Sequence, residues 1–71
     1  MEIIKLREKD EFIKLGQVLK ATGLVESGVI AKLVIQDGMV LVNGKVETQR
    51  GKKLYGGEII SFEGEEIKIE A

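Results

Sequence analysis

The sequence predicts an α+β domain in which two helices pack on a small, mostly antiparallel sheet of about five strands. Three observations carry that expectation. Residues 28 to 36 place apolar side chains around most of a helical circumference, and Asp37-Gly38 ends the run. Asn43-Gly44 stands between two short runs rich in β-formers, a strong signal for a tight two-residue hairpin. Near the end of the chain, Ile60 and Phe62 share one strand face, as do Ile67 and Ile69. No domain boundary, internal repeat or low-complexity run interrupts the 71 residues, so residues 1–71 are expected to form a single domain.

The elements follow in order. Residues 1 to 6, with Ile3, Ile4 and Leu6, read as a short strand. A charged turn follows. Asp10 is suited to cap a helix that starts at Glu11, and Glu11 sits well against the positive end of its dipole. Phe12, Leu15 and Leu19 would share one face of that helix, with Val18 beside them and Lys14 and Gln17 opposite. Gly16 falls near the buried face, at a helix cost of up to about 1 kcal/mol, and leaves room for another element to approach. Thr22-Gly23 ends the helix and Ser27 is an N-cap for the next.

In the second helix Gly28, Lys32 and Gln36 form the single polar stripe. Val29, Ile30, Ala31, Leu33, Val34 and Ile35 fill the rest, so the helix is expected to be packed on most sides. Met39 to Val42 and Lys45 to Thr48 are the arms of the hairpin. Gln49-Arg50-Gly51-Lys52-Lys53 is the one dense basic cluster, made flexible by Gly51. Leu54-Tyr55 returns the chain toward the core, Gly56-Gly57 turns it, and two strands at 58–62 and 66–70 complete the sheet.

Composition excludes several functions. There is no cysteine, hence no disulfide framework and no thiolate metal site. There is no histidine, the commonest general base and metal ligand. Ser27 and Lys32 do not form a catalytic pair, because five residues on one helix set them about 140° apart. Neither Gly-x-Gly-x-x-Gly nor a phosphate-loop lysine motif occurs, and the C-terminal glutamates lack the loop pattern of a calcium site. No catalytic residue, metal, cofactor or small-molecule substrate is therefore expected. No apolar run approaches a membrane span of roughly 18 residues, and no signal segment opens the chain, which makes the cytoplasm the default location.

The net charge of −1 hides a segregation. Residues 32–57 carry +3, from Lys32, Lys45, Arg50, Lys52 and Lys53 against Asp37 and Glu47. Residues 58–71 carry −4, and residues 1–31 balance to zero. A Debye length of about 8 Å at physiological salt lets a partner feel the basic middle rather than the total. Two readings fit the cluster: a phosphate-binding loop, or solvated charge that keeps the protein soluble. The N-terminus of the second helix is open to two readings as well. Its free N–H groups can hold a phosphate that Gly28 does not obstruct, or Ser27 merely starts a helix. Tyr55 can stack on a base or pack. The second helix shows too few outward side chains to read base edges as a DNA helix-turn-helix does.

The pattern Ser27-Gly28, Ala31-Lys32, Ile35, Gly38, Val40, Val42-Asn43-Gly44 resembles the S-four RNA-binding domain. The likeness extends through Leu15, Val18-Leu19 and Gly23-Leu24 and on to Gly57-Glu58, Ile60 and Phe62. With the run from Thr48 to Leu54, the chain looks most like the short stand-alone bacterial members, the YaaA/YbcJ type. It departs at Gly28, where the wider family usually carries arginine. The resemblance implies a helix-turn-strand RNA-binding motif and a structured RNA partner of the ribosomal or transfer RNA class, read mainly by shape. The implied phosphate contacts are Lys32, Lys45, Arg50, Lys52 and Lys53. Gln36, Asn43 and Gln49 would add hydrogen bonds, Ser27 and Gly28 would meet RNA at the helix start, and Lys14 and Lys20 would lie further out. A competing expectation is a protein-interaction module. A ribosome-associated adaptor that recruits a strand at its sheet edge is one form, and by analogy a regulatory subunit of an RNA-modifying enzyme is another.

Overall fold

The computed structural model describes residues 1–71. The chain runs β1 (Glu2–Lys5), β2 (Ile13–Lys14), α1 (Leu15–Ala21), α2 (Gly28–Gln36), β3 (Val40–Val42), β4 (Lys45–Val46), β5 (Lys53–Leu54), β6 (Ile59–Phe62) and β7 (Glu65–Glu70). Five strands form one sheet in the order β1-β7-β6-β3-β4, and β2 pairs with β5 in a separate two-stranded ladder. Only the β1–β7 pair in the large sheet is parallel. The expected architecture of two helices on a mostly antiparallel five-stranded sheet is thus present, with the small ladder added to it.

Period-two alternation builds the core. Val40 and Val42 of β3, Ile60 and Phe62 of β6, and Ile67 and Ile69 of β7 are all buried. Register aligns them across the sheet: Val40 faces Phe62, Val42 faces Ile60, and Ile60 faces Ile67. Leu15, Val18 and Leu19 of α1 and Ala31 and Ile35 of α2 are buried in the same cluster. Gly38, at φ +77°, takes the left-handed conformation after α2 that a side chain resists. No helix is long and apolar enough to cross a membrane.

Two expectations are corrected. The first helix does not start at Glu11, and Asp10 does not cap it; the Asp10 N–H donates to the Arg7 carbonyl in a turn at 2.9 Å. Ile13 and Lys14 instead pair with Leu54 and Lys53. The helix begins only at Leu15, with Gln17 Oε1 accepting the Lys14 N–H at 3.0 Å. A long-range pairing outweighs the local capping signal, so Phe12 leaves the helix face assigned to it. The second correction concerns α2. Only Ala31 and Ile35 are buried on it, whereas Val29 is 69% and Leu33 54% exposed. Ala31 and Ile35 join the core shared with α1 and the sheet, and Val29 and Leu33 on the far side meet no such cover.

Ile35→Ala should lower the unfolding free energy by roughly 2–5 kcal/mol, the usual range for truncating a fully buried branched side chain. Leu33→Ala, two positions away, should stay within about 0.5 kcal/mol. Urea unfolding of both variants checks where α2 packs.

Candidate nucleic-acid interface

The basic loop is positioned by the first helix. The opening N–H groups of a helix have no intrahelical acceptor. In α1 two of them find one in the loop: Leu15 donates to the Lys52 carbonyl at 2.9 Å and Gly16 to the Arg50 carbonyl at 3.0 Å. A turn closed by Lys52 N–H to the Gln49 carbonyl, at 3.1 Å, shapes the segment between. Arg50 lies directly over Gly16, where an added Cβ would sit 3.6 Å from the Arg50 Cβ and carbonyl oxygen. That is ordinary contact distance, so the loop approaches closely without requiring glycine. Arg50, Lys52 and Lys53 are all exposed.

The β2–β5 ladder adds Lys14. It stands directly opposite Lys53, and directly opposed residues of an antiparallel pair share a face. Two like charges in that relation repel and cost stability unless an anion lies near. Lys14, expected as an outlying contact, is therefore part of the same basic surface.

A hydrogen-bonded frame orients the hairpin side. Asn43 and Gly44 adopt φ of 52° and 83°, the left-handed pair of a tight hairpin turn. The Asn43 Oδ1 accepts the Ile59 N–H at 2.9 Å, and its Nδ2 donates to Glu58 Oε1 at 3.4 Å. Its amide is thus engaged in holding the hairpin to β6. Lys45 pairs with Val42, a core residue, so it projects on the helix-bearing side at the sheet's edge. A shallow depression is lined by Asn43, Lys45 and Lys52 together with Glu47 and Glu58. Both carboxylates are committed: Glu58 Oε2 accepts the Tyr55 N–H at 2.6 Å and Glu47 Oε2 the Gln49 N–H at 3.1 Å.

On α2, the Ser27 hydroxyl oxygen accepts the Ile30 N–H at 3.3 Å and so serves as the expected N-cap. Gly28, Lys32 and Gln36 are exposed. A Cβ at Gly28 would meet nothing within 4 Å, so a longer side chain has room there. The helix end approaches the hairpin, because a Cβ at Gly38 would lie 3.5 Å from Val46 Cγ1. Lys20 lies in the last turn of α1, at the end away from the basic loop.

The sequence assigns Phe12 to a buried helix face and leaves Tyr55 open between stacking and packing. Phe12 is half-buried rather than core, and Tyr55 is 48% exposed although Leu54 beside it is fully buried. Their rings approach with centroids 6.0 Å apart, and Lys53 Nζ lies 4.9 Å from the Phe12 centroid. The signal was present as two mirrored triplets, Phe12-Ile13-Lys14 and Lys53-Leu54-Tyr55, whose Ile13-Lys14 and Lys53-Leu54 pair as strands.

Two helices lie on this sheet with a helix-turn-strand unit at their centre, and cations stand where the loop meets α1 and the hairpin. The S4 domain family profile matches residues 4–70, and the chain belongs to that family. It is 43% identical over 54 residues to the "Probable ribosome maturation protein RlbA" of Bacillus subtilis (strain 168), covering 76% of each chain. It is 38% identical over 63 residues to YbcJ of Escherichia coli (strain K12), covering 89% of this chain and 90% of that one. The solution structure of YbcJ from E. coli, described as revealing an alfaL motif involved in RNA-binding, superposes with a TM-score of 0.76 at 35% identity. The match covers 100% of this chain and 89% of that one.

Asn43→Ala should destabilise the fold by roughly 1–2 kcal/mol, through the lost hydrogen bonds and the strained left-handed backbone. Asn43→Gly removes only the strain and should recover part of that loss. Thermal unfolding of the two variants separates the contributions.

Proposed function

We propose that this protein is a non-enzymatic RNA-binding module that docks structured RNA of the ribosomal or transfer RNA class. The observation that carries the reading is the gathering of Lys14, Arg50, Lys52 and Lys53 at the start of α1, with Lys45 beside Lys52 in one depression. Membership of the S4 domain family supports it, as do a relative named for ribosome maturation and a structural neighbour described as RNA-binding. Mechanism follows from the chemistry of the surface. Lysine and arginine side chains neutralise phosphates and release condensed counterions, so affinity depends steeply on salt. Phosphate contacts fix orientation, and a folded RNA whose phosphates match the spacing of these cations is selected by shape. Lys32, exposed on α2, would add a further phosphate contact.

Alanine at Lys32, Arg50, Lys52 and Lys53 together should weaken binding of ribosomal RNA fragments and flatten the log–log salt dependence by roughly 3, at about 0.7–0.9 per lost phosphate contact. Unchanged affinity and slope in a folded variant would remove this surface from consideration. Gly28→Arg restores the side chain the wider family carries, in open space. It should tighten binding and steepen the slope by roughly 0.7–0.9. Filter binding across a salt series measures both.

A second reading, a protein-interaction module, draws on the exposed Val29 and Leu33 of α2. Apolar contact is weakly salt-dependent, so that partner would be retained at high salt while RNA is shed. Salt-graded elution of partners bound to the immobilised protein distinguishes the two.

A further inference from the structure

The solvent face of the β2–β5 ladder carries an arrangement that phosphate binding alone does not use. Ile13 pairs with Leu54 and Lys14 with Lys53. One step further in the same register sets Phe12 opposite Tyr55. Alternation then gives one outer face bearing Phe12, Lys14, Lys53 and Tyr55, while Leu54 is buried on the other side. Two aromatic rings and two cations form a single tile.

Tyr55 is presented rigidly yet left uncovered. Its N–H donates to Glu58 Oε2 at 2.6 Å and its carbonyl accepts the Glu58 N–H at 3.3 Å. Its backbone is thus pinned on one side by Glu58 and on the other by the buried Leu54. The residue remains 48% exposed, with the Phe12 ring tilted 56° against its own. Lys53 Nζ is held over the Phe12 ring. Beyond Phe12 a depression is lined by Arg7, Lys9, Lys14 and Gln17, with Asp10 and Glu11 as its acidic members. Cations exceed acids there by one even before Lys53 is added.

The geometry points to a nucleobase subsite: an unpaired base of the bound RNA stacks on Tyr55 against Phe12, and its flanking phosphates meet Lys14 and Lys53. This rests on the RNA-binding reading and deepens it, from recognition of a folded phosphate surface to recognition of an unpaired nucleotide. A nucleotide combines the two features the tile lacks. Its base offers a π-face to an exposed ring, and its phosphates offer charge to two lysines that otherwise repel. A base-paired duplex hides its bases and satisfies only the lysines.

Tyr55 is the only tyrosine and the chain has no tryptophan, so intrinsic fluorescence reports this ring alone. The full chain is titrated with a hairpin RNA bearing an open loop and with a blunt duplex of equal phosphate count. Binding is followed by anisotropy of a red dye on the RNA, and stacking by tyrosine emission. Both RNAs should bind, and only the open loop should quench Tyr55. Tyr55→Phe should keep the hairpin affinity, whereas Tyr55→Ala should lower it by about tenfold to a hundredfold and leave the duplex unaffected. Hairpin binding with unchanged emission and an unaffected Tyr55→Ala variant would overturn the subsite while sparing the RNA reading. Failure of both RNAs to bind would overturn both.

Discussion

Two backbone hydrogen bonds hold the basic end of this molecule together. The first N–H groups of α1 need acceptors, and the carbonyls of Arg50 and Lys52 supply them. Satisfying those donors fixes a cationic loop against the positive end of a helix. That placement is electrostatically uphill, since both the helix terminus and the side chains are positive. It raises the local potential where an anionic partner would dock. The same bonds define the β2–β5 ladder, because Lys53 and Leu54 follow the loop directly and pair with the residues that precede α1.

The sheet adds a second constraint, carrying the acidic turn at Glu63 to Glu66 away from the hairpin tip. Val40 pairs with Phe62 and Val42 with Ile60. The Glu63-Gly64 turn therefore lies at the opposite end of the strands from the Asn43-Gly44 tip. Glu65 and Glu66 follow the acidic turn, remote from the hairpin. The two carboxylates that remain near the depression, Glu47 and Glu58, act as acceptors for the backbone of Gln49 and Tyr55.

The fold was legible wherever local chemistry decides it. The Ser27 cap, the Asp37-Gly38 stop, the Asn43-Gly44 turn and the alternation in β6 and β7 all rest on conformational preferences of a few adjacent residues. The start of α1 was not legible. Asp10-Glu11 carries a sound capping signal, and it loses to a ladder closed with residues some forty positions later in the chain. The exposed face of α2 was misjudged for a related reason: apolar spacing says which residues could be buried, while the available partners decide which are. Loop lysines were found from charge density. The tile of Phe12, Lys14, Lys53 and Tyr55 needed strand register, which neither triplet shows until the two are paired.

Whether RNA docks on the basic end is read from a map of amide chemical-shift changes when a structured ribosomal RNA fragment is added to the isotopically labelled protein. Changes should converge on residues 12–17, the hairpin tip and the loop at 49–55, with Glu63 to Glu66 silent. Changes concentrated on the acidic turn, or scattered evenly over both ends of the sheet, would contradict such docking.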